Sequence, residues 1–343
     1  MSNAEIVLSA SNLTKTFHVG RTGFSRSRVS AVDDVSLSLR RGESLGIVGE
    51  SGCGKTTLAR MLVGLERPDA GRIEVAGRDV DSLPGAARRS LSRDIQMVFQ
   101  DPYTSLNPRL TVYDLIAEPL TVHRLQPTKA ARRERVAELL QLVNLSPEMM
   151  SRFPHQFSGG QRQRIGIARA IALEPKVLVC DEPVSALDVS VQAQVINLLR
   201  SLQDRLGIAL VFIAHDLAVV RHVADRTAVM YLGRLAETSS TAELFTTPTH
   251  PYTQALLSAS PHVDRTRSRL MGQRIILAGD PPSPVDPPTG CRFHTRCPIA
   301  TSLCSEDQPA LIEMTPGHAS ACHHKDRALQ GRAAAAESRL GTA

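Results

Sequence analysis

Gly49-Glu50-Ser51-Gly52-Cys53-Gly54-Lys55-Thr56 follows directly on the apolar run Leu45-Gly46-Ile47-Val48 and fits the pattern G-x-x-x-x-G-K-[ST]. The apolar run reads as a strand that delivers the chain into a glycine-rich turn. Backbone N–H groups in such a turn can wrap a polyphosphate, because glycine accepts dihedrals closed to other residues. Lys55 is expected to reach the β- and γ-phosphates and Thr56 to offer its hydroxyl to Mg²⁺. Thr57-Leu58-Ala59-Arg60-Met61-Leu62 continues as a helix that points its positive dipole end at the anion. Gly49 through Thr57 therefore form the candidate phosphate cradle.

Upstream, Ile6-Val7-Leu8 and Leu13-Thr14-Lys15-Thr16-Phe17 read as two short strands, and the ring of Phe17 either stacks on a base or is a buried strand aromatic. A Gly-, Ser- and Arg-rich insert from Val19 to Val29 reads as an exposed loop, and Val32 to Leu39 alternates as a strand. Downstream, Arg72 to Gly77 alternates as another, and Ile95 to Phe99 ends at Gln100, a residue able to ligate Mg²⁺ or the attacking water, or simply a polar loop residue. Helical texture runs from Tyr113 to Leu173, with Val136, Leu139, Leu140 and Val143 at helical spacing and prolines 119, 127, 147 and 154 as punctuation. Near its end, Ser158-Gly159-Gly160-Gln161 places an N-cap and two bare glycines at a helix start, open to a phosphate.

Lys176 to Cys180 is an apolar run closed by Asp181 and Glu182, as expected of a buried parallel strand with function at its carboxyl end. Asp181 can hold Mg²⁺ through water, and Glu182 can polarise the water that attacks the γ-phosphate. Leu210 to Ala214 is a second such strand, closed by His215, which is placed to hydrogen-bond the γ-phosphate and align the water. Thr227 to Leu232 and Arg234 to Glu237 then form a hairpin around Gly233.

With 343 residues and 42% hydrophobic content the chain can bury a large core and an appendage. Its net charge of +6 comes with scattered arginines and only 3% aromatic residues, a solvated surface rather than a nucleic-acid stripe. No secretory signal and no apolar run of about 20 residues are visible, so the chain by itself is expected to be cytosolic.

These ordered stretches resemble the nucleotide-binding subunit of an ATP-binding cassette (ABC) transporter over roughly residues 5 to 325. Ser158 to Gln161 matches the family signature, Ser185-Ala186-Leu187-Asp188 the D-loop, Gln100 the Q-loop and His215 the switch histidine. The resemblance implies an α/β P-loop NTPase cassette over 1–240 with an antiparallel β subdomain and an inserted helical subdomain at about 103–174. It implies an ATPase using ATP and Mg²⁺, with Glu182 as base. Two ATPs would be sandwiched in a head-to-tail dimer between the P-loop of one subunit and the signature of the other. Pro248 to Leu257, Gly279 to Pro284 and Gly290 to Pro298, with Ser105 to Arg109, are similar to dipeptide, oligopeptide and nickel importer ATPases. The insert between Phe17 and Val32 is more like the second ATPase of their pair. The partners so implied are a second ABC ATPase, two membrane permeases and an extracytoplasmic solute-binding protein, at the inner face of the membrane. Peptide import is the leading expectation and nickel or another small solute the alternative. A cassette acting on DNA or ribosomes is disfavoured, since a second cassette and a long coiled coil are both absent from the sequence.

Of six cysteines, Cys291, Cys297, Cys304 and Cys322 lie as C-x5-C-x6-C-x17-C in an extension over 241–327. Thiolates in a proline-rich segment can converge on one metal centre and staple it. The C-x2-4-C pairs of structural zinc are missing, so a [4Fe-4S] cluster is expected over zinc, with His294, His323 and His324 as substitute ligands and four unliganded thiols as the remaining reading. Residues 328–343 read as a disordered Ala- and Arg-rich tail.

Overall fold

The computed structural model describes residues 5–22, 25–80, 91–101, 103–259, 275–277 and 279–326. The expected tail at 328–343 lies outside them. The described residues build two sheets. In the first, β1 (Ile6–Thr22) pairs antiparallel with β2 (Ser25–Arg40) and with β4 (Ala70–Val75), which in turn pairs with β5 (Arg78–Asp79). The second has eight strands. Its parallel part runs β9 (Arg226–Tyr231), β3 (Ser44–Val48), β8 (Ala209–Ala214), β7 (Val177–Asp181), β6 (Ile95–Val98). Antiparallel β10 (Arg234–Ser240), β12 (His318–Ser320) and β11 (Ile312–Thr315) extend it beyond β9.

Two local expectations change. The two strands expected at Ile6 and Leu13 are one strand, bent by register shifts around Asn12, whose φ is +50. An inserted residue kinks a strand without ending it, so the break in alternation imitates a boundary. The insert expected as a loop is strand as well, since pairing continues from Phe17↔Val29 to Thr22↔Ser25. The polar, glycine-containing sequence of this hairpin carries no alternation to read.

The parallel strands are buried on both faces, and alternate residues supply two separate cores. Ile47, Val179, Val211 and Ile213 face α1 (Lys55–Leu62) and the antiparallel sheet. Val48, Cys180, Phe212 and Leu210 face the helices of the opposite layer. Between β6 and β7 come α2 (Val112–Val122), α3 (Lys129–Leu142) and α4 (Gly159–Ile171), with 3₁₀ turns at Pro147–Ser151 and Pro154–Gln156. Val136, Leu139, Leu140 and Val143 are all buried, as their spacing requires. Pro119 is the exception among the punctuating prolines, because it sits inside α2. A capping box at Thr111 and Asp114 and the buried face Val112, Leu115, Ile116 and Leu120 hold that helix through the lost bond.

After β7 follow α5 (Val189–Leu206) and α6 (Leu217–Val223). Past β10 the chain forms α7 (Thr241–Thr246), α8 (Pro251–Ala259), a 3₁₀ turn at His294–Arg296 and α9 (Ser302–Glu306) before it returns as β11 and β12. The extension thus joins the main sheet through Glu237↔Ser320 and Thr238↔Ala319. Its anchor is Glu237, fully buried on β10. That carboxylate accepts hydrogen bonds from Thr249 N at 2.7 Å, Thr249 Oγ1 at 2.8 Å, His250 N at 3.0 Å and His318 Nε2 at 2.8 Å.

Candidate active site

The ends of β3, β6, β7 and β8 lie side by side in the sheet, so the residues that follow them share one edge. From β3 the chain enters the glycine loop. Gly54 has φ +105, and a Cβ there would stand 1.9 Å from the Ala31 carbonyl oxygen. At Gly49 a Cβ would stand 2.1 Å from the Met230 carbonyl oxygen. Both positions require glycine, and Ser51, Gly52 and Cys53 between them form the turn that leads into α1. Lys55 is only 5% exposed, and its Nζ donates to the carbonyls of Gly49 at 2.8 Å and Glu50 at 3.0 Å. An ammonium held inside its own loop, with α1 beginning beneath it, is a cradle built for a polyphosphate.

Thr56 Oγ1 donates to Asp181 Oδ1 at 3.2 Å, which brings together the hydroxyl and the carboxylate expected at Mg²⁺. Burial pushes the Asp181 carboxyl above its usual range, against the hydrogen bond from Thr56. A buried carboxylate beside a hydroxyl at the end of a strand is a donor set that fits a hard divalent cation. Thr57 is half-buried in the first turn of α1.

Glu182 has φ +44, a conformation few side chains adopt, and its N–H donates to Ile213 O at 3.0 Å. Its Oε2 accepts from Gln100 Nε2 at 2.9 Å and lies 3.7 Å from His215 Nδ1. The three residues expected to handle the attacking water therefore meet at one carboxylate. His215 is 60% exposed in its side chain, so it faces outward from the sheet edge.

Ser158 N-caps α4, accepting from Gln161 N at 3.3 Å while Gln161 Oε1 accepts from Ser158 N at 3.1 Å. A Cβ at Gly160 would stand 2.4 Å from Val191 Cγ1, so this helix start packs tightly on α5. A Cβ at Gly159 would stand 3.3 Å from Leu187 Cδ2 of the 185–188 stretch, so a larger residue there would crowd it. Asp188 caps α5 by accepting from Val191 N at 3.0 Å. Phe17 is half-buried on β1 and outside both apolar cores, with Lys15 Nζ 5.4 Å from its ring centre. The reading of Phe17 as a core aromatic is thereby removed.

The cysteine extension lies against the glycine loop, which the sequence did not disclose. Glu50 N donates to the hydroxyl of Tyr252 at 2.9 Å, and the Glu50 carboxylate receives Arg296 Nη1 at 2.9 and 3.1 Å. Arg292 pairs with Asp33 and donates to Leu232 O. In the sequence both arginines stand out only as neighbours of Cys291 and Cys297. Among the four thiols, every pair is close enough for one charge to raise the other's pKa, and none is in a disulfide. Burial pushes Cys297 up to about 11 and Cys322 up to about 12. Yet among the described residues no group of three or more His, Cys, Asp or Glu side chains is arranged to hold a metal ion. The expectation of a formed cluster site is corrected to that extent. The backbone ties Cys291 to Cys304 through Cys291 N to Cys304 O at 2.8 Å, but the four side chains do not compose a ligand set.

Away from the sheet edge, a groove of about 420 Å³ lies between β6 and α2, lined among others by Met97, Phe99, Glu118, Val122 and His123. No helix among the described residues is long and apolar enough to cross a membrane.

Residues 32–185 match the model of the ABC transporter family, and residues 236–304 that of the oligopeptide/dipeptide transporter C-terminal region. The oligopeptide transport ATP-binding protein AppF of Bacillus subtilis is 51% identical over 325 residues, 94% of this chain and 98% of that one. The di/tripeptide transport ATP-binding protein DppF of Pseudomonas aeruginosa is 50% identical over 328 residues, 95% and 99% of the two chains. The oligopeptide transport ATP-binding protein OppF of Salmonella typhimurium is 50% identical over 295 residues, 86% and 87%. Among solved structures, the dimeric post-hydrolysis state of the ATP-binding cassette MJ0796 with ADP and Pi superposes with a TM-score of 0.61 at 30% identity, over 68% of this chain and 98% of that chain.

Proposed function

Because the chain belongs to the ABC transporter family, with the C-terminal region of its oligopeptide/dipeptide branch, we propose that it hydrolyses ATP to drive import of short peptides. The observation that carries the chemistry is the meeting of Gln100, His215 and Glu182 at one carboxylate, on the edge where Lys55, Thr56 and Asp181 already converge. Catalysis of phosphoryl transfer is mainly positioning and charge stabilisation. Gly49 to Thr57 hold the phosphates through backbone N–H groups and Lys55. Thr56, Asp181 through water, and Gln100 are the residues that would hold Mg²⁺, which would supply positive charge to offset that of the phosphates. Glu182 takes the proton of the attacking water, and Gln100 and His215 keep that water and the carboxylate in line. Phe17 stacks on the adenine. Ser158, Gly159, Gly160 and Gln161 meet the γ-phosphate of ATP bound to a facing cassette, so loss of that phosphate releases the pair.

We divide the chain into a cassette at 1–240 with a helical part at about 103–174, an extension at 241–327 and a tail at 328–343. The facing cassette is a second, different ATPase subunit, and both sit at the inner membrane face on two permeases served by a solute-binding protein. The loop after Gln100 and the helical part are the expected permease contact, and the groove with Phe99 and Val122 exposed at it borders the helical part. The same machinery would serve nickel uptake, and uptake assays with labelled dipeptide against nickel in reconstituted transporter separate the two. For the four thiols we propose a [4Fe-4S] cluster, which the described geometry does not preform and whose assembly would have to draw the sulfurs together; that all four are free thiols supports it. Iron and sulfide in anaerobically purified protein test it; zinc alone, or no metal, refutes it.

The central experiment is Glu182→Gln in the assembled transporter. ATP turnover is expected to fall about 10²–10⁴-fold while ATP is retained and the dimer accumulates. Turnover equal to wild type would remove Glu182 from its role.

A further inference from the structure

Glu50 brings a negative charge into the loop that receives a polyphosphate, where an unpaired carboxylate repels the ligand. In the structure that charge is taken up from outside the cassette. Arg296 Nη1 stands 2.9 and 3.1 Å from the two oxygens of Glu50, and the same nitrogen lies 3.4 Å from the hydroxyl of Tyr231. The Arg296 side chain is 8% exposed and that of Glu50 27%, so solvent screens the pair only in part. Arg296 has little freedom to be elsewhere. It ends a 3₁₀ turn held by His294 N to Cys291 O at 2.9 Å and Arg296 N to Phe293 O at 3.0 Å, and Cys291 N is tied to Cys304 O at 2.8 Å. Phe293, fully buried, packs on Tyr231 and Tyr252, and the hydroxyl of Tyr252 accepts from the backbone of Glu50 itself. Arg296 Nε is buried with no hydrogen-bond partner among the described residues. A guanidinium with one N–H left unpaired costs stability, which argues that the site is not tuned for folding alone.

We infer that Arg296, carried by the cysteine extension, is a positioning residue for nucleotide binding that neutralises Glu50 and holds it away from the phosphates. The inference rests on the reading of Gly49 to Thr57 as the ATP cradle. It makes ATP affinity depend on the correct folding of the segment between Cys291 and Cys304, a dependence a cassette without the extension would lack.

The test is equilibrium binding of a fluorescent ATP analogue to the full chain, in low and high salt. Arg296→Ala is expected to weaken binding about five- to tenfold, as does Arg296→Gln, which keeps the bulk of the stem and decides the matter if truncation lowers stability. Arg296→Lys retains most of the affinity. The discriminating variant is the double change Arg296→Ala with Glu50→Gln, expected within about twofold of Glu50→Gln alone, because no repelling charge remains. The single-variant defect shrinks in high salt. Unchanged affinity in Arg296→Gln, or a double variant as weak as Arg296→Ala, overturns the inference. A wild type that binds no better than Lys55→Ala would instead overturn the reading of the cradle, and the inference with it.

Discussion

Glu237→Gln tests whether the extension is bound to the cassette by a buried ion pair. The carboxylate has no exposed surface, and every contact made to it is a donor: Thr249 N, Thr249 Oγ1 and His318 Nε2 at Oε1, and His250 N at Oε2. A glutamine of the same shape must turn its NH₂ towards one of these sides. The less harmful choice sets it against His250 N–H, leaving two buried donors unsatisfied and removing the charge that faces His318. Unsatisfied buried donors cost about 1–3 kcal/mol each, and breaking one partner of a buried pair about 3–5 kcal/mol, so a loss of about 3–5 kcal/mol is expected. The pH profile gives a second reading. Burial alone would raise the Glu237 carboxyl, but the hydrogen bonds from His318 and from the Thr249 and His250 amides outweigh it and hold it below its ordinary 4.5. The Glu237 bond, with help from Glu243, lifts His318 above its ordinary 6.5 against desolvation. The carboxylate's contribution is therefore present above about 4.5 and lost as pH falls. The imidazolium's contribution is present below about 6.5 and lost as pH rises through the raised value. Urea denaturation from pH 2 to 9 should show both arms in wild type. In Glu237→Gln the acid arm should vanish and the alkaline arm shrink to what Glu243, 3.1 Å from His318 Nδ1, sustains. A variant with the midpoint and pH profile of wild type would refute the argument.

Asp181→Asn should weaken Mg²⁺ about 10–100-fold, read by Mg²⁺ titration of ATP turnover, if the carboxylate acts through bound water. Since burial raises the Asp181 carboxyl above its ordinary 3.8, protons should begin to compete with Mg²⁺ at a higher pH than at an exposed aspartate. Phe17→Ala should cost ATP binding about 1–3 kcal/mol, the worth of one base stack, with no change in melting temperature because the ring lies outside both cores.

The chemistry of the nucleotide edge was legible because each of its parts ends an apolar run. Strands buried on both faces read as unbroken Val, Ile and Leu, and Gly49, Gln100, Asp181 and His215 stand where β3, β6, β7 and β8 stop. Pairing in one parallel sheet then brings them together without further information. Ser158 was legible for a local reason also, since a cap and its Gln161 partner are three residues apart. The bend at Asn12 and the polar hairpin are not legible in the sequence because neither leaves a period in the chain.

What the linear order of residues determined was thus everything governed by short range: the loop that only Gly54 can turn, the helix behind Lys55, the strand-end acids. Tertiary structure alone decided that Arg296 would meet Glu50 and that His318 would meet Glu237. Those pairs span 246 and 81 residues. Side chains so far apart come together only when the aromatic packing of Tyr231, Tyr252 and Phe293 and the addition of β12 to β10 have placed the extension. Charge complementarity between distant residues has no spacing, and it becomes visible only once folding has set the distance over which Coulomb attraction acts.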